Sequence, residues 1–111
     1  MKTYIELWNA KPAWHALSQE EREDYLNKVG PAIQVLLDKG IEILSWGVND
    51  AKTYNRAEYD FFGVWRVPNM AVAREFEAIV EGAGWYNYFE QVNVMGEEQM
   101  PQDVIPEIMA V

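Results

Sequence analysis

The sequence predicts an α+β domain in which four strands and two helices follow one another as strand, helix, strand, strand, helix, strand. Three observations carry that expectation. Four segments alternate in side-chain character with period two: Lys2 to Asn9, Ile41 to Val48, Tyr59 to Pro68 and Glu90 to Met95. Two longer segments, Ser18 to Lys39 and Asn69 to Gly82, repeat apolar residues at three- and four-residue steps. The stretch YDFFGVWRVP at 59–68 favours a strand on both of its faces, which suits the middle of a sheet covered on two sides.

Each element has a local justification. Strand one sets Thr3, Ile5 and Leu7 against Tyr4, Glu6 and Trp8. After a link holding Pro12, Trp14 and His15, Ser18 and Glu21 stand at capping-box spacing and open the first helix. Its apolar stripe runs through Tyr25, Leu26, Val29, Ile33, Leu36 and Leu37, across a kink expected at Gly30-Pro31, to a stop at Gly40. Strand two follows, and a polar stretch from Asn49 to Glu58, long for a hairpin, leads to strand three. Asn69 caps the second helix, with Val72, Phe76, Ile79 and Val80 on one stripe, and Gly82 and Gly84 end it. Trp85, Tyr86, Tyr88 and Phe89 lead into strand four. The tail, with Pro101 and Pro106 among apolar residues, is expected to be a short helical or extended arm.

This order matches the split βαβ of ferredoxin-like folds: a four-stranded antiparallel sheet with both helices on one face. We expect one domain over 1–111, with its core in 2–96 and a C-terminal arm at 97–111. Aliphatic residues are assigned to the helix-covered side, namely Ile5, Leu7, Ile41, Ile43, Phe62, Val64, Val92 and Val94. The open side then carries Tyr4, Glu6, Trp8, Leu44, Trp46, Tyr59, Phe61, Trp65, Phe89, Gln91, Asn93 and Met95, provided no bulge shifts the register. Six large aromatics left half exposed would make an apolar patch of about 600 Å², to be covered by the tail, by a second copy of the chain or in part by a ligand, and the second copy is the cover expected here.

Composition narrows the function classes. A chain of 111 residues, 50% hydrophobic, is one domain with enough apolar material for a core. The absence of cysteine excludes a disulfide framework and thiolate chemistry, and it fits the cytoplasmic location we expect. A net charge of −9 repels nucleic acid and anionic lipid, so neither is expected as a partner. The opening MKTYIELWNA carries Glu6 inside an alternating pattern and reads as a strand rather than a signal peptide, and no apolar run approaches the roughly 18 residues of a membrane span.

The stretches YIELWNA, EILSWGVND, YDFFGVWRVP and GWYNYFEQVN, with this order of elements, resemble a family of small bacterial proteins similar to the dimeric α+β barrel superfamily. That superfamily includes antibiotic-biosynthesis-type monooxygenases, stress-responsive barrel proteins and lactone isomerases. The resemblance covers about residues 2 to 96 and implies a homodimer in which two sheets close a barrel. It does not imply one activity, because the fold hosts cofactor-free oxygenation, isomerisation, haem breakdown and plain binding. Haem-degrading members hold iron through a histidine within a helix, whereas His15 precedes the predicted helix, so no catalytic residue and no haem are carried over.

The residues themselves offer a few candidates. Glu6, flanked by Tyr4 and Trp8 on an enclosed face, would be desolvated and its pKa raised toward general-base range; the alternative is a carboxylate paired with a donor from the partner chain. His15 is the sole histidine, a candidate acid or base or else a surface group, and no HxH or HxxxH spacing exists to make a metal site. Gln91 and Asn93 could offer amide donors to a carbonyl or phenolate oxygen, or bond across a dimer interface. Tyr4, Trp8, Trp46, Phe61 and Trp65 are expected to line a ligand cavity, against the alternative that they are core. Glycines 82 and 84 end a helix rather than open one, so they do not form a phosphate loop.

The expected function is therefore binding, with or without transformation, of a small hydrophobic or aromatic molecule, with no cofactor and no metal. If the protein is an enzyme, it is of cofactor-independent monooxygenase or isomerase type. The alternative is a non-catalytic homodimeric structural or interaction module. A solidly packed aromatic face would favour the module, and an enclosed cavity of about 300 Å³ or more containing Glu6 would favour ligand chemistry.

Overall fold

The computed structural model describes residues 1–111. Its elements are β1 (Lys2–Ala10), α1 (Pro12–His15), α2 (Gln19–Asp38), β2 (Glu42–Val48), β3 (Phe61–Val67), α3 (Met70–Gly82), α4 (Trp85–Tyr88), β4 (Phe89–Glu97) and α5 (Pro101–Met109). The strands form one antiparallel sheet in the order β2-β3-β1-β4. This is the expected ferredoxin-like α+β architecture. Two short helices, α1 and α4, lie where only links were expected.

The helix starts follow local chemistry. Ser18 Oγ accepts from the Glu21 backbone N–H at 3.1 Å while Glu21 Oε1 accepts from the Ser18 N–H at 2.9 Å, which completes the capping box. Asn69 Oδ1 accepts from the Val72 N–H at 3.0 Å and opens α3. Helix α2 runs through Pro31 without a break and is followed by Gly40 at φ +93°, a left-handed turn that glycine adopts without strain. The β2–β3 connection is tied to itself: Asn49 Nδ2 donates to the carbonyls of Ala57 and Tyr59, and Arg56 Nε donates to the Asp50 carbonyl at 2.7 Å.

The expected assignment of the two sheet faces is reversed on β1, β3 and β4, while Ile41, expected under the helices, is in the core and Ile43, paired with Trp65, shares that side. Tyr4, Glu6, Trp8 and Trp65, expected on the open face, are all buried on the helix-covered side, and Phe61 and Trp46 share it. Tyr4, Trp65, Val67, Leu36, Ile41, Ala73 and Phe76 form the main core; Trp8, Trp85 and Phe89 form a second cluster beside Trp14 and Tyr25. Ile5, Leu7, Phe62, Val64, Val92 and Val94 occupy the other face, which no helix covers. The physical reason is burial area: rings of roughly 150–250 Å² each gain more from the helices than valines and isoleucines do. An aromatic-lined cavity on the open sheet face is thereby excluded.

A bulge between Ile43 and Ser45 also breaks the simple alternation of β2. It keeps Trp46, opposite Gly63, on the helix side, and leaves Leu44 53% exposed. Tyr59 falls outside β3 altogether. In the arm, α5 is helical and every residue from Gly96 to Val111 is exposed.

Candidate functional site

Glu6 sits at the centre of β1, opposite Gly63 of β3 and Asn93 of β4, and is 4% exposed. Its surroundings are aromatic because Tyr4 and Trp8 precede and follow it on the same face. No cation pairs with it among the ion pairs of the chain. Neutral donors take that place. Trp65 Nε1 donates to Glu6 Oε1 at 2.6 Å, and Gln91 Nε2 donates to Glu6 Oε2 at 2.7 Å and to Asn93 Oδ1 at 2.8 Å. Trp85 Nε1 donates to Gln91 Oε1 at 2.8 Å, which orients the amide so that its N–H groups face Glu6.

Burial raises the Glu6 pKa, while the hydrogen bonds from Gln91 and Trp65 pull it down. The result is a carboxyl held above its ordinary value by burial, in a shell whose two N–H donors favour the ionised form through neutral dipoles. Tyr4 does not join this network: its hydroxyl donates to Glu77 Oε2 at 2.8 Å, and burial raises its pKa.

Gly63 shapes the space beside Glu6. A Cβ there would lie 2.9 Å from Trp46 Nε1 and 3.2 Å from Trp65 Nε1, so both indole N–H groups lie over this one glycine. Trp65 uses its N–H on Glu6. Trp46 forms no hydrogen bond through its own and is 46% exposed at the sheet margin. The Trp46 N–H thus lies over the glycine that pairs with Glu6 and has no acceptor within the chain.

Two spaces meet at this point. A chamber of about 40 Å³ between the sheet and α2–α3 has Glu6 as its polar group, among Trp46, Trp65, Phe76 and Trp85. It has room for a water molecule or two. A groove of about 400 Å³ lies alongside, lined by Trp8, Trp14, Trp46, Phe61, Trp85 and Phe89 with Leu26, Gly47 and Val48. Trp46 and Trp85 border both, so these two indoles separate the carboxylate from a groove of ligand size. The enclosed 300 Å³ around Glu6 that would favour chemistry is absent as one space; the volume lies on the outer side of the indole wall.

The structure brings together Glu6, Trp46, Trp65 and Gln91 from the predicted set, with Trp8 and Phe61 in the groove and Asn93 behind Gln91. It does not bring His15 there. His15 is exposed at the end of α1 rather than in a link, and it lines neither space. No three His, Asp or Glu side chains converge in the way a metal ion would require. Trp85 was missed by sequence reasoning because GWYNYF reads as a lead-in to a strand, although Gly84 at φ +75° signals the turn that aims it inward.

Comparison with solved structures places this geometry on a known fold. The candidate chlorite dismutase TA0507 matches with a TM-score of 0.69 at 12% identity, over 96% of this chain and 48% of that one. The protein At3g17210 from Arabidopsis thaliana matches at 0.61 and 13% identity, over 90% and 97% of the two chains. A dimeric protein of unknown function and ferredoxin-like fold from Bacteroides fragilis matches at 0.52 and 18% identity, over 87% and 95%. This chain thus spans about half the length of the first of these. At such identities the likeness shows the ferredoxin-like fold alone. No match was found among the curated proteins. The profile of one family, however, matches all of residues 1–111, and the chain belongs to that family, the family of unknown function DUF6616.

Proposed function

We propose that this protein is a cytoplasmic homodimer that binds a small hydrophobic or aromatic molecule in the groove against Trp46 and Trp85, with Glu6 as its proton acceptor. The observation that supports this most is a buried carboxylate without a cation, one layer of rings from a groove of about 400 Å³. The chamber itself holds no more than water, so a carbon acid in the groove would reach Glu6 only with the Trp46 ring swung aside, and would then give it a proton and become an enolate. Returning that proton to another carbon completes an isomerisation with no outside reactant. Cofactor-independent oxygenation would begin with the same deprotonation and consume dioxygen.

The homodimer reading is supported by the uncovered aliphatic sheet face and by the dimeric description of the Bacteroides fragilis protein. The cytoplasmic reading rests on the absence of cysteine. No helix is long and apolar enough to cross a membrane.

A second reading, a homodimeric module without chemistry, is favoured by the small chamber and by a polar network with no buried polar side-chain atom left unpaired. Indole N–H resonances separate the two. Aromatic carbon acids titrated at millimolar concentration should shift the Trp46 and Trp85 signals on the ligand reading, and Trp46→Phe should weaken that binding. Unmoved indole signals across the panel would leave the module.

A further inference from the structure

Helix α5 has no counterpart within its own chain. Val104, Ile105, Ile108 and Met109 make one stripe, with Asp103 and Glu107 opposite and Gln102 at its edge. Ile105 is 48% exposed, Ile108 65% and Met109 75%, and none of them enters either core cluster. A helix of nine residues is not stable in water by itself, and Pro106 removes one of its internal donors. Its helical state therefore calls for a surface.

The chain's path to α5 says on which side that surface lies. Arg66 shares the open face with Phe62 and Val64, and its Nε and Nη2 donate to the two carboxylate oxygens of Glu98 at 2.7 and 2.8 Å. The Glu98 N–H also donates to the Met1 carbonyl at 3.1 Å. This fork ties Glu98, three residues before α5 begins, to a side chain on the uncovered side of the sheet. That side is aliphatic in its middle and polar at its ends, where Thr3, Asn9, Arg66 and Glu90 stand. A hydrophobic centre with a polar rim is the anatomy of an interface.

We propose that α5 is an exchanged arm, which in the homodimer lies with its apolar stripe against the margin of the second copy's open sheet face. The inference rests on the homodimer reading and adds which segment crosses. Area supports it: four strands about 4.8 Å apart and seven residues long offer roughly 440 Å² per copy, short of the ~800 Å² of a stable interface. A nine-residue arm adds about 150 Å² of its own, the sheet it covers being already counted, which brings each copy to roughly 590 Å², about the lower end of standard interfaces.

The test compares the full chain with one ending at Gln99 and with Ile108→Asp, by native mass spectrometry and light scattering, with tryptophan fluorescence confirming that each variant is folded. The full chain should be a dimer, and both variants should dissociate at about 100-fold higher concentration or more. A photoreactive benzoylphenylalanine at position 105, in mixed ¹⁴N and ¹⁵N chains, should cross-link light chains to heavy chains at strand residues. A dimer whose cross-links stay within one chain, or whose stability is unchanged by both variants, overturns the arm and leaves the dimer standing. A monomeric full chain overturns both.

Discussion

The two faces of the sheet are equally apolar in outline and differ in what they hold. The helix-covered face gathers Tyr4, Trp8 and Trp65 and buries a carboxylate among them; the open face carries Ile5, Leu7, Phe62, Val64, Val92 and Val94, with its charged groups only at the ends. Rings tolerate a buried polar group because indole N–H donors come with them, as Trp65 and Trp85 show. Aliphatic side chains bring no such donors. Polar chemistry therefore lies under the helices, and the open face is suited to association.

The largest effect expected from breaking this contrast is Trp65→Ala. It removes a residue 2% exposed and one of the Glu6 donors, and should cost about 3–5 kcal/mol in urea unfolding, whereas Val64→Ala, one residue away on the other face, should cost less than about 1 kcal/mol in the isolated chain. Next comes Gly63→Ala, whose new methyl would meet both indole nitrogens; a loss of about 1–3 kcal/mol and an altered near-ultraviolet dichroism of the tryptophans should result. Trp65→Phe keeps the ring but deletes the N–H to Glu6. It should cost about 1–2 kcal/mol and raise the Glu6 pKa further, since that hydrogen bond lowers it.

The smallest expected effect is a pH dependence. The folded-state pKa of Glu6 lies above its unfolded value, so between the two values the folded chain keeps a proton that the unfolded chain has released. Stability from this group is full below the ordinary glutamate range and declines as pH rises through the raised value. Glu6→Gln should flatten that part of a melting-temperature profile, which thermal unfolding across mildly acidic to neutral pH would show.

Much of this architecture was legible because its signals are local. The Ser18–Glu21 box and the Asn69 cap act within one helical turn, and the strands alternate visibly. The choice of inward face was not legible from alternation, which says that Tyr4 and Glu6 share a side but not which side; ring size on that side was the unused signal. The bulge at Leu44 adds a residue to an edge strand without any compositional mark. Helices α1 and α4, one turn each, are too short for periodicity to reveal, which is why His15 and Trp85 were misplaced. Glu6 itself stood out as an ionisable residue between aromatics, and the amide of Gln91 was the partner the structure provides.

The proposed chemistry needs that carboxyl to be both buried and without a cation. A ¹³C titration of the glutamate side chains measures it directly, with Glu21 as internal reference because the Ser18 hydrogen bonds hold its pKa low. The midpoint for Glu6 should lie above the ordinary value of 4.5 and disappear in Glu6→Gln; a midpoint at or below 4.5 would contradict the account.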